Sequence, residues 1–283
     1  MILVTFATNK KSSANPSNNP LTKPTLQKNK VSAVIITFNA ARLLTEVLQA
    51  LSWAAEVVVV DSGSTDDTLR IATQHNCRTA HRHFDGYGNQ KHFAVAMAQN
   101  DWVLVVDADE VVTPELAREI QDAVQNTTFQ GYMVPISLIF MGKLMRYGRE
   151  YKMPHLRLFN KKFGNYNNHL VHEDVVLDGQ IGKLKNQMLH DSYGSVSDFI
   201  QKLNRYTTAS AEAMQSRKKK GAVRQIITRF PITFLKEYLI GRNFLNGFRG
   251  FVWAFFMGVY AVLKYVKLWE LQRTAQSNKK IKP

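Results

Sequence analysis

The chain has 283 residues, 45% of them hydrophobic, which is enough for one α/β core with an appendage, and its single cysteine, Cys77, excludes an internal disulfide. The net charge of +15 is concentrated at the two ends: residues 1–30 carry five lysines and no acid, and residues 217–283 carry fifteen Lys and Arg against two acids. The middle is slightly acidic, so the basic surface is an addition to the core rather than a property of it.

The predicted elements divide the chain into three regions. Residues 1–30, rich in Asn, Ser, Lys and Pro, predict a disordered extension. From Val31 onwards strands and helices alternate with short links, which predicts an α/β domain over 31–215 with a mostly parallel, Rossmann-like sheet flanked by helices. Strands are expected at 31–36, 56–60, near 78, 101–106, 130–140 and 155–159, and helices at 40–51, 65–75, 86–97 and 198–215.

Polar clusters follow three of these strands: Thr37–Asn39, Asp61–Asp66 and Asp107–Glu110. The carboxyl ends of parallel strands are where ligands of open α/β sheets bind. Asp107 and Asp109 repel each other unless a positive charge lies between them, and hard carboxylate oxygens suit Mg²⁺ or Mn²⁺. The alternative is that these acids only end a strand and cap the next helix, because Thr113 and Pro114 form an ordinary helix start.

Taken in order, the motifs Ile35–Asn39, Val59–Asp66 and Val105–Glu110 resemble those of a family 2 glycosyltransferase with the GT-A fold. Arg157–Phe159 and Val171–Glu173 resemble the acceptor half of the same domain, and the resemblance covers about residues 31–210. The subgroup that it resembles is that of the bacterial lipopolysaccharide inner-core glycosyltransferases, whose members also end in a basic, aromatic-rich tail.

The resemblance and the residues together suggest roles for the polar positions. Asp109 is the expected metal ligand, with Asp107 shared between metal and nucleotide and His190 a further candidate at the metal or the diphosphate. The expected nucleotide-sugar contacts are Thr37, Asn39, Asp61, Lys91, Asp107 and Arg157. Lys91 is equally consistent with a surface lysine, and Arg157 with a structural salt bridge. The alternative for His190 is a packed or hydrogen-bonded histidine.

Inverting transfer needs a base that takes the proton of the acceptor hydroxyl. The resemblance places it after the metal motif, at Glu173 or Asp174. Glu173 is favoured because the subgroup has Glu directly after Val-His, whereas many family members use an Asp in an acidic pair. The alternative is that both acids are solvated loop residues.

Residues 216–283 predict a basic amphipathic helical region that associates with membranes. Helices are expected at 226–240 and 244–268. The longest uncharged run, Gly250–Leu263, has 14 residues, fewer than the ~20 needed to span a bilayer. Aromatic and basic residues at helical spacing favour the interface with anionic lipids. The alternative is a helical hairpin packed on the core or in a dimer; nucleic-acid binding is not expected, since no such fold signature is present.

The expected function is therefore an inverting, metal-dependent transfer of a hexose from a nucleotide sugar, UDP-glucose by preference, to a lipid-linked acceptor such as the lipopolysaccharide inner core. The expected location is the cytoplasmic face of the bacterial inner membrane, as a peripheral protein. A polyprenyl-phosphate glycosyltransferase is the alternative. A nucleotidyltransferase is less favoured, because the segment after the first strand, Thr37–Arg42, is not glycine-rich.

Overall fold

A computed structural model describes residues 30–125, 128–167, 174–217, 219 and 223–281, with side chains to 274. The first half alternates strands and helices: β1 (Val31–Thr37), α1 (Ala41–Ala50), β2 (Glu56–Asp61), α2 (Thr68–Gln74), β3 (Arg78–His81), α3 (Tyr87–Met97), β4 (Trp102–Asp107), β5 (Glu110–Val112) and α4 (Pro114–Ala123). The expected elements of this half are confirmed to within a few residues, and β5 is an addition to them. Thr113 caps α4, since its hydroxyl accepts a hydrogen bond from the Leu116 amide.

The second half of the domain is mainly β-structure: β6 (Gly131–Phe140), β7 (Lys143–Leu144), β8 (Met153–Asn160), β9 (Gly164–Tyr166), β10 (Val175–Leu177), β11 (Ile181–Lys183) and β12 (Met188–His190). A helical section follows, with α5 (Val196–Ser216), α6 (Val223–Leu235), a π-helical turn (Lys236–Ile240), a 3₁₀ turn (Asn243–Asn246) and α7 (Phe248–Ile281). Strands β7 and β9–β12 are too short to leave a sequence pattern.

The main sheet has the order β3-β2-β1-β4-β8-β6-β12-β5, with β7 and β11 also paired to β6. Strands β1, β2, β3 and β4 are mutually parallel, whereas β8 runs antiparallel to β4 and β6. The central strands are buried on both faces, which explains their nearly continuous Val and Ile runs. The predicted class, a mostly parallel α/β sheet flanked by helices with a C-terminal helical appendage, is confirmed.

The sheet topology brings the three polar clusters to one edge. β2 and β4 lie on either side of β1, and all three run in the same direction. The residues after their carboxyl ends therefore meet, as the spacing predicts. The antiparallel pairing of β12 with β5 adds His190 to this edge, opposite Glu110.

Helix α7 packs along the α/β body. Its Trp253 joins a buried cluster with Phe140 of β6 and with Phe199 and Leu203 of α5. Among the described residues, one helical section, Phe248–Thr274, has the length and the apolar composition needed to cross a membrane. In its most apolar stretch of 18 residues, 28% of the residues are buried in the protein. The expected 1–30 extension lies outside the described residues, apart from Lys30.

Candidate active site

A cavity of about 840 Å³ opens between the carboxyl ends of β1, β2 and β4 on one side and helix α5 on the other. Six of the residues predicted for the site line it: Thr37, Asn39, Lys91, Asp107, Asp109 and His190. Aromatic side chains at its edge, including Phe38 and Tyr87, are exposed. The cavity is thus a polar groove beyond the sheet with an aromatic rim.

Asp61 is held by the turn that follows β2. One of its oxygens accepts hydrogen bonds from the amides of Gly63 and Ser64, both at 2.8 Å, and the other accepts from the Thr37 hydroxyl at 2.9 Å. Gly63 has a φ of +99°, which other residues rarely adopt, so the glycine permits this turn. Burial raises the pKa of Asp61, but these hydrogen bonds outweigh it and the net pKa is lowered.

The hydrogen bonds of Asp61 give a pH-dependent prediction. We expect Asp61→Asn to lower the free energy of unfolding at pH 7 by about 1.5–3 kcal/mol, since bonds to a carboxylate are lost. A carboxyl whose folded pKa is depressed stabilises above its unfolded pKa of 3.8 and stops doing so as pH falls through the folded value. Urea unfolding of both proteins should give a constant gap above pH 5 that narrows in acid; a gap independent of pH would contradict it.

Asn39 joins the loops after β1 and β2. Its φ of +50° lies in the left-handed region that Asn tolerates. Its backbone N–H donates to the Ser64 hydroxyl at 2.8 Å, and its side-chain oxygen accepts from the backbone N–H of Thr65 at 2.9 Å. Asn39 and the Asp61 turn therefore form one hydrogen-bonded wall of the cavity.

Asp107 is enclosed by two cations. Its carboxylate oxygens contact Lys91 Nζ at 3.0 Å and Arg157 Nη2 at 2.7 Å. The same Arg157 nitrogen donates to the buried Glu110 at 2.8 Å, and Glu110 also accepts from the Asp107 amide at 2.9 Å. Lys91 is only 3% exposed, so it is not a surface lysine.

Burial and the neighbouring charges shift the pKa values of the ionisable groups in this cluster. Burial raises the pKa of Asp107, but Arg157 and Lys91 outweigh it and hold the pKa far below its usual range. Burial also raises the pKa of Glu110, and there the net pKa stays raised. The two carboxylates in turn raise the pKa of Arg157 despite its burial. Arg157 thus makes the structural salt bridge, and both Asp107 oxygens are engaged by cations.

Asp109 faces the cavity with a different set of partners. Its Oδ1 lies 3.3 Å from His190 Nε2, and its Oδ2 lies 3.8 Å from Lys202 Nζ on α5. Ser192 joins the pair, with its hydroxyl 2.7 Å from His190 Nε2 and 3.4 Å from Asp109 Oδ2. Burial raises the pKa of Asp109, but the hydrogen bond and charge of His190 outweigh it and lower the net value. Lys202 and Ser192 could not be predicted as site residues from the sequence, because neither lies in a recognisable motif.

The surroundings of Asp109 offer part of a binding site for a divalent cation. No group of three or more His, Cys, Asp or Glu side chains suitable for a metal occurs in the described part of the chain. Two donors do face the cavity, the Asp109 carboxylate and His190 Nε2. Mg²⁺ keeps several waters and is held by one or two carboxylates together with substrate phosphates. The residues present fit a cation that arrives with a diphosphate.

Of the two expected bases, only Asp174 lies in the part of the chain that the structure describes. Glu173 is outside the described residues. Asp174 is exposed, and its carbonyl accepts a hydrogen bond from the Asn167 amide at 3.0 Å. This bond continues the β9–β10 hairpin beyond Tyr166, whose ring lies 5.7 Å from Lys91 Nζ. The segment between 167 and 174 therefore begins and ends close to the Lys91–Asp107 pair.

Comparison with known proteins identifies the family to which this fold, with its polar strand ends, belongs. Residues 32–176, about half of the chain, match the family model described as Glycosyl transferase family 2. The chain is a family 2 glycosyltransferase. Its α/β sheet flanked by helices is the GT-A architecture expected from the sequence resemblance, and its activity is the transfer of a glycosyl group.

Full-length relatives agree with this assignment. The glycosyltransferase is 32% identical over 270 residues to an uncharacterized glycosyltransferase of Rickettsia felis, covering 89% of this chain and 93% of the relative. It is 29% identical over 250 residues to a Rhizobium meliloti protein named lipopolysaccharide core biosynthesis glycosyltransferase LpsC, covering 85% of this chain and 92% of the relative. The similarity thus extends well beyond residues 32–176.

Solved structures are more distant. The S. aureus TarS 1-349 structure covers 87% of this glycosyltransferase and 91% of its own chain, at 16% identity and a TM-score of 0.45. The Mycobacterium tuberculosis glucosyl-3-phosphoglycerate synthase, solved with Mn²⁺ and UDP-glucose, covers 38% and 43%, at 22% identity and a TM-score of 0.33.

Proposed function

We propose that this glycosyltransferase moves a hexose, with inversion, from a nucleotide sugar to a lipid-linked saccharide of the lipopolysaccharide inner core. UDP-glucose is the proposed donor. The observation that carries the proposal is the arrangement of Asp109, His190 and Lys202 inside the cavity at the carboxyl ends of β1 and β4. One carboxylate, one imidazole and one ammonium converge there, as the binding of a metal–diphosphate requires.

On the donor side, the wall formed by Asn39 and the Asp61 turn would bind the nucleoside, because Thr37, Asn39 and Ser62 line the cavity there. Asp61 itself is buried and would shape this wall through its hydrogen bonds to Thr37 and to the turn. Asp107 would be the neighbouring contact. Since Lys91 and Arg157 engage both of its oxygens, Asp107 is fixed in position beside Asp109. We therefore assign Lys91 and Arg157 the role of holding the acidic edge in place.

Asp109 and His190 would hold the divalent cation, Mg²⁺ or Mn²⁺. When bound, such an ion neutralises the charge that grows on the departing diphosphate. Cation binding would replace the hydrogen bond between His190 Nε2 and Ser192, since the same nitrogen takes part in both contacts. Burial lowers the pKa of His190, but the hydrogen bond and charge of Asp109 outweigh it and raise the net value.

The transfer itself is a single displacement. The acceptor hydroxyl attacks the anomeric carbon on the face opposite the diphosphate, the bond to the diphosphate oxygen breaks, and the configuration inverts. The proton of the hydroxyl passes to a carboxylate, which we propose is Glu173, with Asp174 as the other candidate. In support, the backbone hydrogen bond between Asn167 and Asp174 adjoins Tyr166, whose ring lies 5.7 Å from Lys91 Nζ.

The acceptor side of the proposal rests on the C-terminal helices. Apolar side chains of α6, the two turns and the start of α7 are exposed, among them Ile227, Ile240 and Phe248. Basic residues such as Arg242 and Arg249 lie between them. An apolar surface bordered by cations suits an anionic leaflet, where each nearby Lys or Arg contributes about 1 kcal/mol.

The position of α7 supports a peripheral contact rather than a span. Lys267 donates to Asn204, Thr207 and Thr208 of α5 at 2.7–2.9 Å, which fixes α7 along the body. The relative named for lipopolysaccharide core biosynthesis retains similarity over 92% of its length. We therefore place the enzyme on the cytoplasmic face of the inner membrane, with the soluble donor and the lipid-linked acceptor meeting at the cavity.

Vesicle binding tests the membrane contact. We expect the protein to sediment with phosphatidylglycerol vesicles but not with phosphatidylcholine vesicles, and less so as salt rises. Replacing two of the most exposed apolar residues, Ile240→Asp with Phe248→Asp, should weaken partitioning about tenfold or more, since both insert into the interface. Val176→Asp with Ile181→Asp, two exposed positions on β10 and β11, serves as the charge-matched control. A protein that stays wholly soluble with the anionic vesicles would overturn the interfacial assignment.

A donor screen tests the proposed reaction. Release of nucleoside diphosphate is measured from UDP-glucose and from other nucleotide sugars, with Mg²⁺, Mn²⁺ or chelator, and with deacylated inner-core or polyprenyl-phosphate acceptors. We expect UDP release from UDP-glucose that depends on the cation and on the inner-core acceptor. Release unaffected by chelator would contradict the metal assignment, and activity only with polyprenyl phosphate would replace the proposed acceptor.

A further inference from the structure

Helix α5 forms the wall of the cavity that faces the strand ends. Its start is fixed by Ser195, whose hydroxyl accepts from the Asp198 amide at 3.1 Å. Its rotation is fixed by Phe199 and Leu203, which are buried against Trp253. Because these two side chains pack inwards, Lys202 faces the cavity and lies beside Asp109.

The Lys202 ammonium is positioned but not saturated. It donates to the Ser192 carbonyl at 2.6 Å and lies 5.3 Å from the centre of the Tyr193 ring. Its distance of 3.8 Å from Asp109 Oδ2 is an ion pair too long for a hydrogen bond. An ammonium has three hydrogens, and among the described residues only the Ser192 carbonyl takes one of them.

Three neighbouring cations are paired with acids, whereas Arg205 of α5 also lines the cavity. Lys91 and Arg157 hold Asp107 and Glu110, and Arg42 pairs with Asp191 at 3.1 Å. Lys202 thus brings a positive charge to the Asp109 side of the cavity and keeps hydrogens for further acceptors there. A phosphate group has the charge and the acceptor oxygens to match it.

We propose that Lys202 binds the terminal phosphate of the donor's diphosphate and stabilises the departing nucleoside diphosphate; this role rests on the proposed function. As the bond from the anomeric carbon breaks, its electron pair stays on the phosphate oxygen, and the acceptor oxygen forms the new bond and loses its proton to the base. Lys202 keeps its own protons and donates hydrogen bonds to phosphate oxygens whose charge increases. This contribution does not need the divalent cation.

Calorimetric titration with UDP and with UMP tests the role. With chelator present, we expect Lys202→Met to weaken UDP binding about 10- to 100-fold, as for a lost charge-assisted bond, and UMP binding less than about threefold. Lys202→Arg should recover part of the UDP affinity. Lys162→Met, which removes a lysine paired with Asp101 on the exposed surface, should match the wild type. Lys202→Gln repeats the test should the Met variant not fold, as judged by circular dichroism.

The outcomes separate this proposal from the function on which it rests. An unchanged UDP affinity in the Lys202→Met or Lys202→Gln variant overturns the role of Lys202 and leaves the proposed function standing. An equal loss for UDP and UMP also overturns it, since the effect would then not come from the terminal phosphate. A wild-type protein that binds UDP with Mn²⁺ but not with chelator would overturn the role of Lys202 alone. A wild-type protein that binds none of UDP, GDP, CDP, ADP and dTDP with Mn²⁺ present would overturn the proposed function itself, and Lys202's role with it.

Discussion

Asp109→Asn is expected to lower kcat/KM for sugar transfer about 10³-fold or more while the protein stays folded. Asparagine keeps the shape of the side chain but loses the charge that faces His190 and Lys202 at 3.3 and 3.8 Å. The cation would then be bound weakly, and the charge growing on the diphosphate would be poorly stabilised. Steady-state kinetics over a range of Mn²⁺ concentrations measures the loss.

The matched control is Asp101→Asn. Asp101 lies directly before β4, at the end of the strand far from Asp109, and pairs with Lys162 on the exposed surface. Its replacement should therefore leave kcat/KM unchanged. Thermal unfolding of both variants establishes that each is folded. An Asp109→Asn enzyme within about threefold of the wild type would contradict the role of Asp109.

Arg157→Met is expected to have the largest effect on stability, a loss of about 3–5 kcal/mol in the free energy of unfolding. One guanidinium nitrogen serves both Asp107 and the buried Glu110, at 2.7 and 2.8 Å. Its removal leaves a buried carboxylate without its cation, which costs far more than the intact pair contributes. Urea unfolding at pH 7 measures the change.

A substitution at Glu110 tests whether the loss of stability in Arg157→Met comes from the unpaired charge of this buried carboxylate. In the Arg157→Met background, Glu110→Gln removes the uncompensated charge and should recover part of the lost stability, so the two substitutions are not additive. Arg70→Met, which breaks the exposed pair with Asp67, should change stability little. Additive effects of Arg157→Met and Glu110→Gln would show that the arginine acts through packing instead.

The strand ends could be predicted from sequence because the signals are local. Unbroken Val and Ile runs that end in acids mark buried parallel strands, and parallel neighbours must present those acids at one edge. The geometry accordingly groups Thr37, Asp61, Asp107 and Asp109 as expected. Thr113 as a helix cap is equally local, and the capping and metal-site interpretations of this segment are compatible because they use different residues.

The partners of these acids could not be predicted, because they depend on pairings between distant segments. His190 reaches Asp109 through the antiparallel pairing of a three-residue strand with β5, and Lys202 reaches it through the packing of α5 on Trp253. Neither contact leaves a periodic pattern. The same applies to Arg157, whose two carboxylates lie about fifty residues earlier in the chain. Helix α7 is also longer than its 14-residue uncharged run indicates, since Lys264 and Lys267 continue the helix.

The central claim is that the cavity beyond β1, β2 and β4 binds a metal–nucleotide diphosphate. The most direct measurement is a crystal structure of the protein with UDP and Mn²⁺, using the anomalous signal of manganese to locate the ion. We predict an anomalous peak in contact with Asp109 and His190, with the diphosphate between that ion and Lys202. Manganese or UDP bound elsewhere, with this cavity empty at saturating concentrations of both, would contradict the account.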